Sequence, residues 1–451
     1  MSLIQTIYEK MLKTDLQQAD RNRLVKGIIH SFVIQGISMV LVFAGNFLLV
    51  KFFGPQKYGV YVHVFNWISI LTILAANGQE DIVLSRVPKY IAQNNLLQTG
   101  AVIRHANVRA AIGGIAISVF FLLLIYIFPI NKLSEYRYEF LIASLAIYLS
   151  AFLSVNQMVL QALNHIRLSQ VIERLLKPFL FIVFICAAGM LSFNIDARRL
   201  ILIAVVNLAI CTLVLGYIVF KKTKPFFRKG TERYRGQGIS KQTFYFLTIS
   251  LLQLLTSKIG MLIMPYFTEE KHIGVFNIAA RFSDLIIYPF FLLHAVLPQL
   301  FARHHEADRL YNQKLYTEST WIILITSLPL LLLNLAAGPW LLGYFGEAFT
   351  EGYTALVYMS ISNALFAIFG PANTILMMQG REKVSAIALL VYVILLTVLS
   401  SILIPMQGIT GAALAMLFSN AVYNILLAIY AKRYTGVSAP LFRLFEKRRG
   451  A

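Results

Sequence analysis

Charge is what this chain has little of. Of its 451 residues, 13% are Asp, Glu, Lys or Arg, against 58% that are hydrophobic. A soluble domain carries about 25% charged residues, so the composition excludes a globular surface facing water. Cysteine is scarce as well. Cys186 and Cys211 both lie inside apolar runs, and two such residues build neither a disulfide framework nor a thiolate metal set, so they read as packing residues. Catalytic signatures are missing too: there is no Walker loop, no His-Glu-x-x-His and no Gly-x-Ser-x-Gly. His30, His294, His304 and His305 are not spaced with carboxylates as metal ligands. No cofactor and no metal are expected, and a primary pump with its own nucleotide-binding domain is excluded. Acidic residues number 20 against 40 basic ones, a formal charge of +20. On so apolar a body this excess is a topology signal rather than a nucleic-acid face.

What is present is a run of apolar segments near the roughly 20 residues that cross a bilayer. They fall near 28–50, 58–79, 108–129, 140–162, 172–191 and 200–220, then near 243–266, 275–298, 320–344, 354–377, 384–405 and 411–431. The two sets say the same thing twice. FFGPQKYGVY at 52–61 is echoed by FTEEKHIGVF at 267–276, and QALNHIR ending at Arg167 by MMQGREK ending at Lys383. The offset is 215, from Gly59 to Gly274. Same-direction repeats of this kind mark a two-lobed transporter with its site between the lobes. The expected fold is an all-α polytopic membrane protein of twelve spans in two parallel six-helix lobes.

Five parts follow: an amphipathic N-terminal helix (1–26), an N-lobe (27–220), a basic linker (221–241), a C-lobe (242–435) and a basic tail (436–451). Residues 1–26 carry helically spaced apolar residues among Lys and Arg, which reads as an interfacial helix and not a cleavable signal. With both termini cytoplasmic, about 31 Lys and Arg lie inside and about 7 outside. The linker, KKTKPFFRKGTERYRGQGISK, either docks anionic lipid or sets topology alone. No external loop is long enough for a folded catalytic domain.

Ionisable residues inside spans are the candidate site. One such charge costs about 2.5–3.5 kcal/mol at mid-bilayer, so it faces a cavity or a partner. Lys258 lies in span seven; Arg281 and Asp284 lie three apart, on one face of span eight. They form either a basic cavity floor for a phosphate headgroup, with Asp284 as charge partner, or an ion-paired structural triad. Lys258 and Arg281 fall opposite Phe43 and Asn66 of the first copy, so the charges belong to the second lobe alone. Arg86 follows span two within a mixed-charge cluster with Glu80, Asp81 and Lys89, as a headgroup contact at the inner mouth or part of a salt-bridge network. Arg167, Arg174 and Lys177 surround the start of span five, as snorkelling anchors singly and as an anion-attracting vestibule together. Amides recur in the spans, among them Gln35, Asn46, Asn66, Gln253 and Asn363; they bond sugar hydroxyls or neighbouring helices. Gly370 and Pro371 allow either bending or close packing.

Several motifs carry a resemblance. FGPQKYGVY from Phe53 to Tyr61, Gly78 with Arg86 eight residues on, GVFNIAAR from Gly274 to Arg281, Pro298 before a charged loop, and GITGAA from Gly408 to Ala413 occur in this order. The chain thereby resembles, from about residue 25 to 435, the polysaccharide-transporter (Wzx-type) flippases of the multidrug/oligosaccharidyl-lipid/polysaccharide exporter superfamily. The resemblance implies a MATE-like fold, alternating access, and a polyprenyl-pyrophosphate-linked oligosaccharide flipped from inner to outer leaflet of a bacterial or archaeal cytoplasmic membrane. Arg281 matches a position where members often carry arginine. Gly260 stands where members often carry aspartate, with Lys258 nearby. Lipid II-type flippases usually have two further spans, which are not found here. A drug/cation antiporter of the same fold is the alternative, and it would want a more acidic cavity than Asp284 supplies. A membrane scaffold or accessory protein of glycan assembly is the alternative of another class. Glycan polymerases or glycosyltransferases are the protein partners expected.

Overall fold

A computed structural model describes residues 18–127, 134–190, 196–227, 239–294, 297–298, 301 and 309–440. Most of the predicted interfacial helix, the middle of the linker and most of the tail lie outside the described residues. The elements are α1 (Gln18–Ala76), α2 (Gln79–Ala92), α3 (Leu96–Ile127), α4 (Arg137–Ala162), α5 (Ile166–Val171), α6 (Lys177–Met190), α7 (Ala197–Phe227), α8 (Ile239–Ile263), α9 (Glu270–Asp284), α10 (Tyr288–His294), α11 (Arg309–Gly343), α12 (Tyr353–Phe369), α13 (Ala372–Met378) and α14 (Glu382–Thr435). Among the described residues, nine helices are long and apolar enough to cross a membrane. The chain is a multi-pass, helical membrane protein.

Nine differs from the expected twelve for local reasons. Helices α1 and α14 each contain two helical halves, joined at Gly54 and Gly408. A loop was expected at 51–57. Instead Gly54 changes the chain direction alone, with φ 79° and ψ 167°, a region open to glycine and costly for other residues. Span five is divided by a π-helical turn, Ile172–Leu176, between α5 and α6. Span ten breaks at Gly370 and Pro371, between α12 and α13. Both readings of that pair hold: the chain bends at Gly370, with φ 68°, and packs closely there, since a Cβ would lie 2.1 Å from Thr320 Oγ1. Gly370→Ala is therefore expected to cost about 2 kcal/mol or more, read as a lowered melting temperature in detergent.

Apolar packing sorts the helices into two groups. One buried cluster, from Val60 to Val219, is built from α1 to α7. A second, from Ile259 to Ala439, is built from α8 onward. A third joins them at the end that carries Gly54, where Leu49, Val50, Phe53 and Tyr58 meet Met264, Ile273, Phe276 and Phe349. Rings continue it: Phe43 lies 5.0 Å from Phe282 and Phe47 lies 5.8 Å from Phe345, centroid to centroid. Polar contacts seal the same end. Tyr58 donates to Asn46 Oδ1 at 2.9 Å and accepts from Asn277 Nδ2 at 2.6 Å. Glu270 accepts from Gln56 Nε2 at 3.3 Å and also from the Tyr136 hydroxyl.

The repeat explains this plug. A Cβ on Gly59 would fall 1.8 Å from the Glu270 carbonyl oxygen, and one on Gly274 would fall 2.8 Å from Tyr58 Cδ1. The two repeat-related glycines are thus the points where each copy presses its backbone against the other. Only a residue without a side chain permits that approach.

Candidate functional site

Two adjoining cavities, of about 670 and 750 Å³, extend away from the plug. Ser38 and Val42 of α1 and Arg281 of α9 line both. The smaller lies on the α1–α7 side. Its charged lining is Arg174, Lys177, Lys258, Arg281 and Glu173, so four cations face one carboxylate. The larger lies on the C-terminal side and has one charge of each sign, Arg281 and Asp284. Its polar lining is mainly amides and phenols, including Gln35, Gln253, Asn363, Asn373 and Tyr288.

Arg281 and Asp284 are exposed within the bundle because their side chains face these cavities, and Lys258 is half-buried. They lie close enough to act on one another electrostatically. Among the described residues, however, no ion pair of 4.0 Å or less joins them. Among the described residues no closed ion-paired triad therefore forms.

A proline fixes this geometry. Pro289 has no N–H, so the carbonyl four residues earlier, on Leu285, loses its helical donor. The chain tightens into a 3₁₀ turn at Leu285–Ile287, directly after Asp284. Neighbouring helices bond the disturbed stretch: Asn334 Nδ2 donates to Phe282 O at 3.0 Å, and Ser327 Oγ to Ile286 O at 2.7 Å. The face bearing Arg281 and Asp284 is thus held rigidly where the helix changes form.

The sequence-chosen amides divide. Gln35, Gln253 and Asn363 line the larger cavity, while Asn46 and Asn66 line the smaller one. Asn46 is engaged at both ends, donating to Val42 O at 2.8 Å and accepting from Tyr58. Asn66 Nδ2 points to Met261 Sδ at 3.3 Å. Gln35 donates to the Tyr288 hydroxyl at 3.2 Å and Asn363 to Ser283 Oγ at 2.8 Å. Gln253 is exposed to its cavity. Arg86 is on α2 and lines neither cavity. The structure does not bring it together with Lys258 and Arg281, because span two ends at Ala76 and the chain turns through Asn77 and Gly78, both at positive φ. Gly260 faces packing rather than a cavity, with Ala412 Cβ 3.8 Å from where its Cβ would be.

Repeat symmetry crosses the molecule here. Phe43 of the first copy lines the C-terminal cavity, and its counterpart Lys258 lines the N-terminal one. Sequence reasoning treated Arg174 and Lys177 as part of a vestibule; the structure places them in the same cavity as Lys258 and Arg281. Asn373 and Asn424, which belong to the same recurring set of span amides, also line the larger cavity; Tyr392 and Tyr423 line it too and carried no sequence expectation.

The comparisons with known proteins agree with this architecture. The profile of the family described as polysaccharide biosynthesis protein matches residues 24–303. The chain belongs to that family. Over 430 residues it is 22% identical to an uncharacterized membrane protein of Methanocaldococcus jannaschii, covering 88% of this chain and 82% of that one. Its fold is that of a multidrug resistance MATE family transporter of the MOP superfamily in an inward-facing conformation, with TM-score 0.68, 15% identity, and coverage of 88% and 94%. The lipid II flippase MurJ, in an inward closed conformation, matches with TM-score 0.67, 14% identity, and coverage of 90% and 87%. The protein is a member of that family with the fold of these transporters.

Proposed function

We propose that this protein is a flippase that moves a polyprenyl-pyrophosphate-linked oligosaccharide from the inner to the outer leaflet by alternating access. The observation that carries this reading is Arg281, which faces a cation-rich cavity on one side and an amide-rich cavity on the other. Pyrophosphate needs cationic donors to leave water. Lys258 and Arg281 supply them, and Asp284 limits the surplus charge. Gln35, Gln253 and Asn363 offer amide contacts to sugars on the other side of Arg281, while the prenyl tail stays in lipid between the lobes.

The lobes are residues 27–220 and 242–435, joined by the basic linker 221–241. The separate apolar clusters on either side of that linker support the division. The excess of Lys and Arg on the terminal side supports cytoplasmic termini, and the plugged Gly54 end then faces outward. The structure is an inward-open state in this reading. Its home is the cytoplasmic membrane of a bacterium or archaeon, near the glycosyltransferases or polymerase of one polysaccharide pathway, with anionic lipid at the linker.

Proteoliposomes separate the flippase from the cation antiporter, which Asp284 in the larger cavity would favour. Fluorescent polyprenyl-pyrophosphate sugar is expected to change leaflets, and a cationic dye is not expected to exchange for protons. Dye exchange without lipid transfer would reject the proposal.

A further inference from the structure

The π-helical turn Ile172–Leu176 has a sequence cause. Pro178 cannot donate to the carbonyl of Arg174, four residues before it, so regular α-helical bonding fails there. The wider turn absorbs the defect. Lys177 is bound from outside the helix, its carbonyl accepting from Asn207 Nδ2 at 3.2 Å. The result is a charged face: Glu173, Arg174, Lys177, Pro178 and Phe181 all line the smaller cavity. Arg174 and Lys177 are half-buried, and neither makes an ion pair of 4.0 Å or less among the described residues. Glu173 is within electrostatic reach of Glu80, at the cavity end remote from the plug. A snorkelling anchor would point toward the lipid surface; these two side chains face the same space as Lys258 and Arg281.

Depth separates the two cation pairs. Lys258 and Arg281 share their part of the lining with Asn46, Tyr61 and Asn277, next to the plug. The π-helical turn belongs with Thr72 and Ile73, toward the Glu80 end. We infer that Arg174 and Lys177 form a second phosphate-binding station at the cavity mouth, which takes the pyrophosphate group before Lys258 and Arg281 hold it deeper. This rests on the flippase reading and adds residues and an order of contact to it. One carboxylate, Glu173, beside the two cations keeps the station weak enough to release its ligand inward.

The test uses the full chain in lipid nanodiscs, with geranyl pyrophosphate and inorganic pyrophosphate as probes. R174Q/K177Q is expected to weaken geranyl pyrophosphate binding by about tenfold or more and to slow its association, and R174K/K177R is expected to restore both. Wild-type affinity and association rate in R174Q/K177Q, together with loss of binding in K258Q/R281Q, would overturn the mouth station and leave the flippase reading intact. Failure of the wild-type protein to bind either probe would overturn both. Inorganic pyrophosphate binding as tightly as the prenyl compound would overturn the lipid headgroup as the ligand and assign the station to free phosphate.

Discussion

Arg281→Ala and Lys258→Ala are each expected to reduce leaflet transfer of the proposed sugar lipid by at least roughly 30-fold, with the protein still folded in the membrane. Removing one partner of a desolvated, hydrogen-bonded charge pair costs about 2–5 kcal/mol, and 2 kcal/mol is already about 30-fold. Folding is spared because neither side chain closes an ion pair of 4.0 Å or less among the described residues and both face open cavities. Arg281→Ala is the more damaging of the two, since Arg281 alone of these cations lines both cavities. Lysine at 281 restores part of the loss, because a point charge replaces the charge without the two-pronged geometry. Measurement is by fluorescence transfer in proteoliposomes, with melting temperature as the folding control. Equal transfer by wild type and both alanine variants would remove these residues from the site.

Gly59→Ala has the second large effect, on the conformational balance. Its Cβ would meet the Glu270 carbonyl oxygen at 1.8 Å. Backbone cannot swing aside as a flexible side chain does, so the two copies must separate at the plug. Overpacking of this kind costs about 1–3 kcal/mol, and about 1.4 kcal/mol already shifts a two-state balance tenfold. Cysteines at Gln56 and Glu270, whose side chains meet at 3.3 Å, report the plug in a background with Cys186 and Cys211 replaced. Cross-linking by a short reagent is expected to fall when Gly59→Ala is added, as the ratio of closed to open plug drops about tenfold. Unchanged cross-linking would mean that the glycine does not gate this end.

The repeat was legible in the sequence, and its contact was not. Gly59 and Gly274 marked the register between the copies, and they turn out to be the contact points of the plug. Lys258, Arg281 and Asp284 were also legible, because a charge in an apolar span has few reasons to exist. Hydropathy did not give the helix geometry around them. It counts apolar residues and ignores which carbonyls lack a donor, so it passed over Pro178 and Pro289 inside spans. Those two prolines shape both charged stretches, the π-helical turn before one and the 3₁₀ turn before the other. Arg86 misled for the opposite reason: it is close to span two in sequence, but beyond the turn at Asn77 and Gly78 it lines neither cavity. The amides could not be sorted by sequence, since bonding a helix and bonding a sugar use the same groups. Their partners sort them, with Asn46 engaged at both ends and Gln253 open to the cavity.

Recognition of the substrate in the proposed function lies with the cations of the smaller cavity, which hold its pyrophosphate. The most direct measurement compares leaflet transfer of two lipids that carry the same glycan and the same prenyl chain. One is linked through pyrophosphate and the other through an uncharged linker. Transfer of the charged lipid is expected, with at least about tenfold less of the neutral one. Equal transfer of both would contradict that recognition.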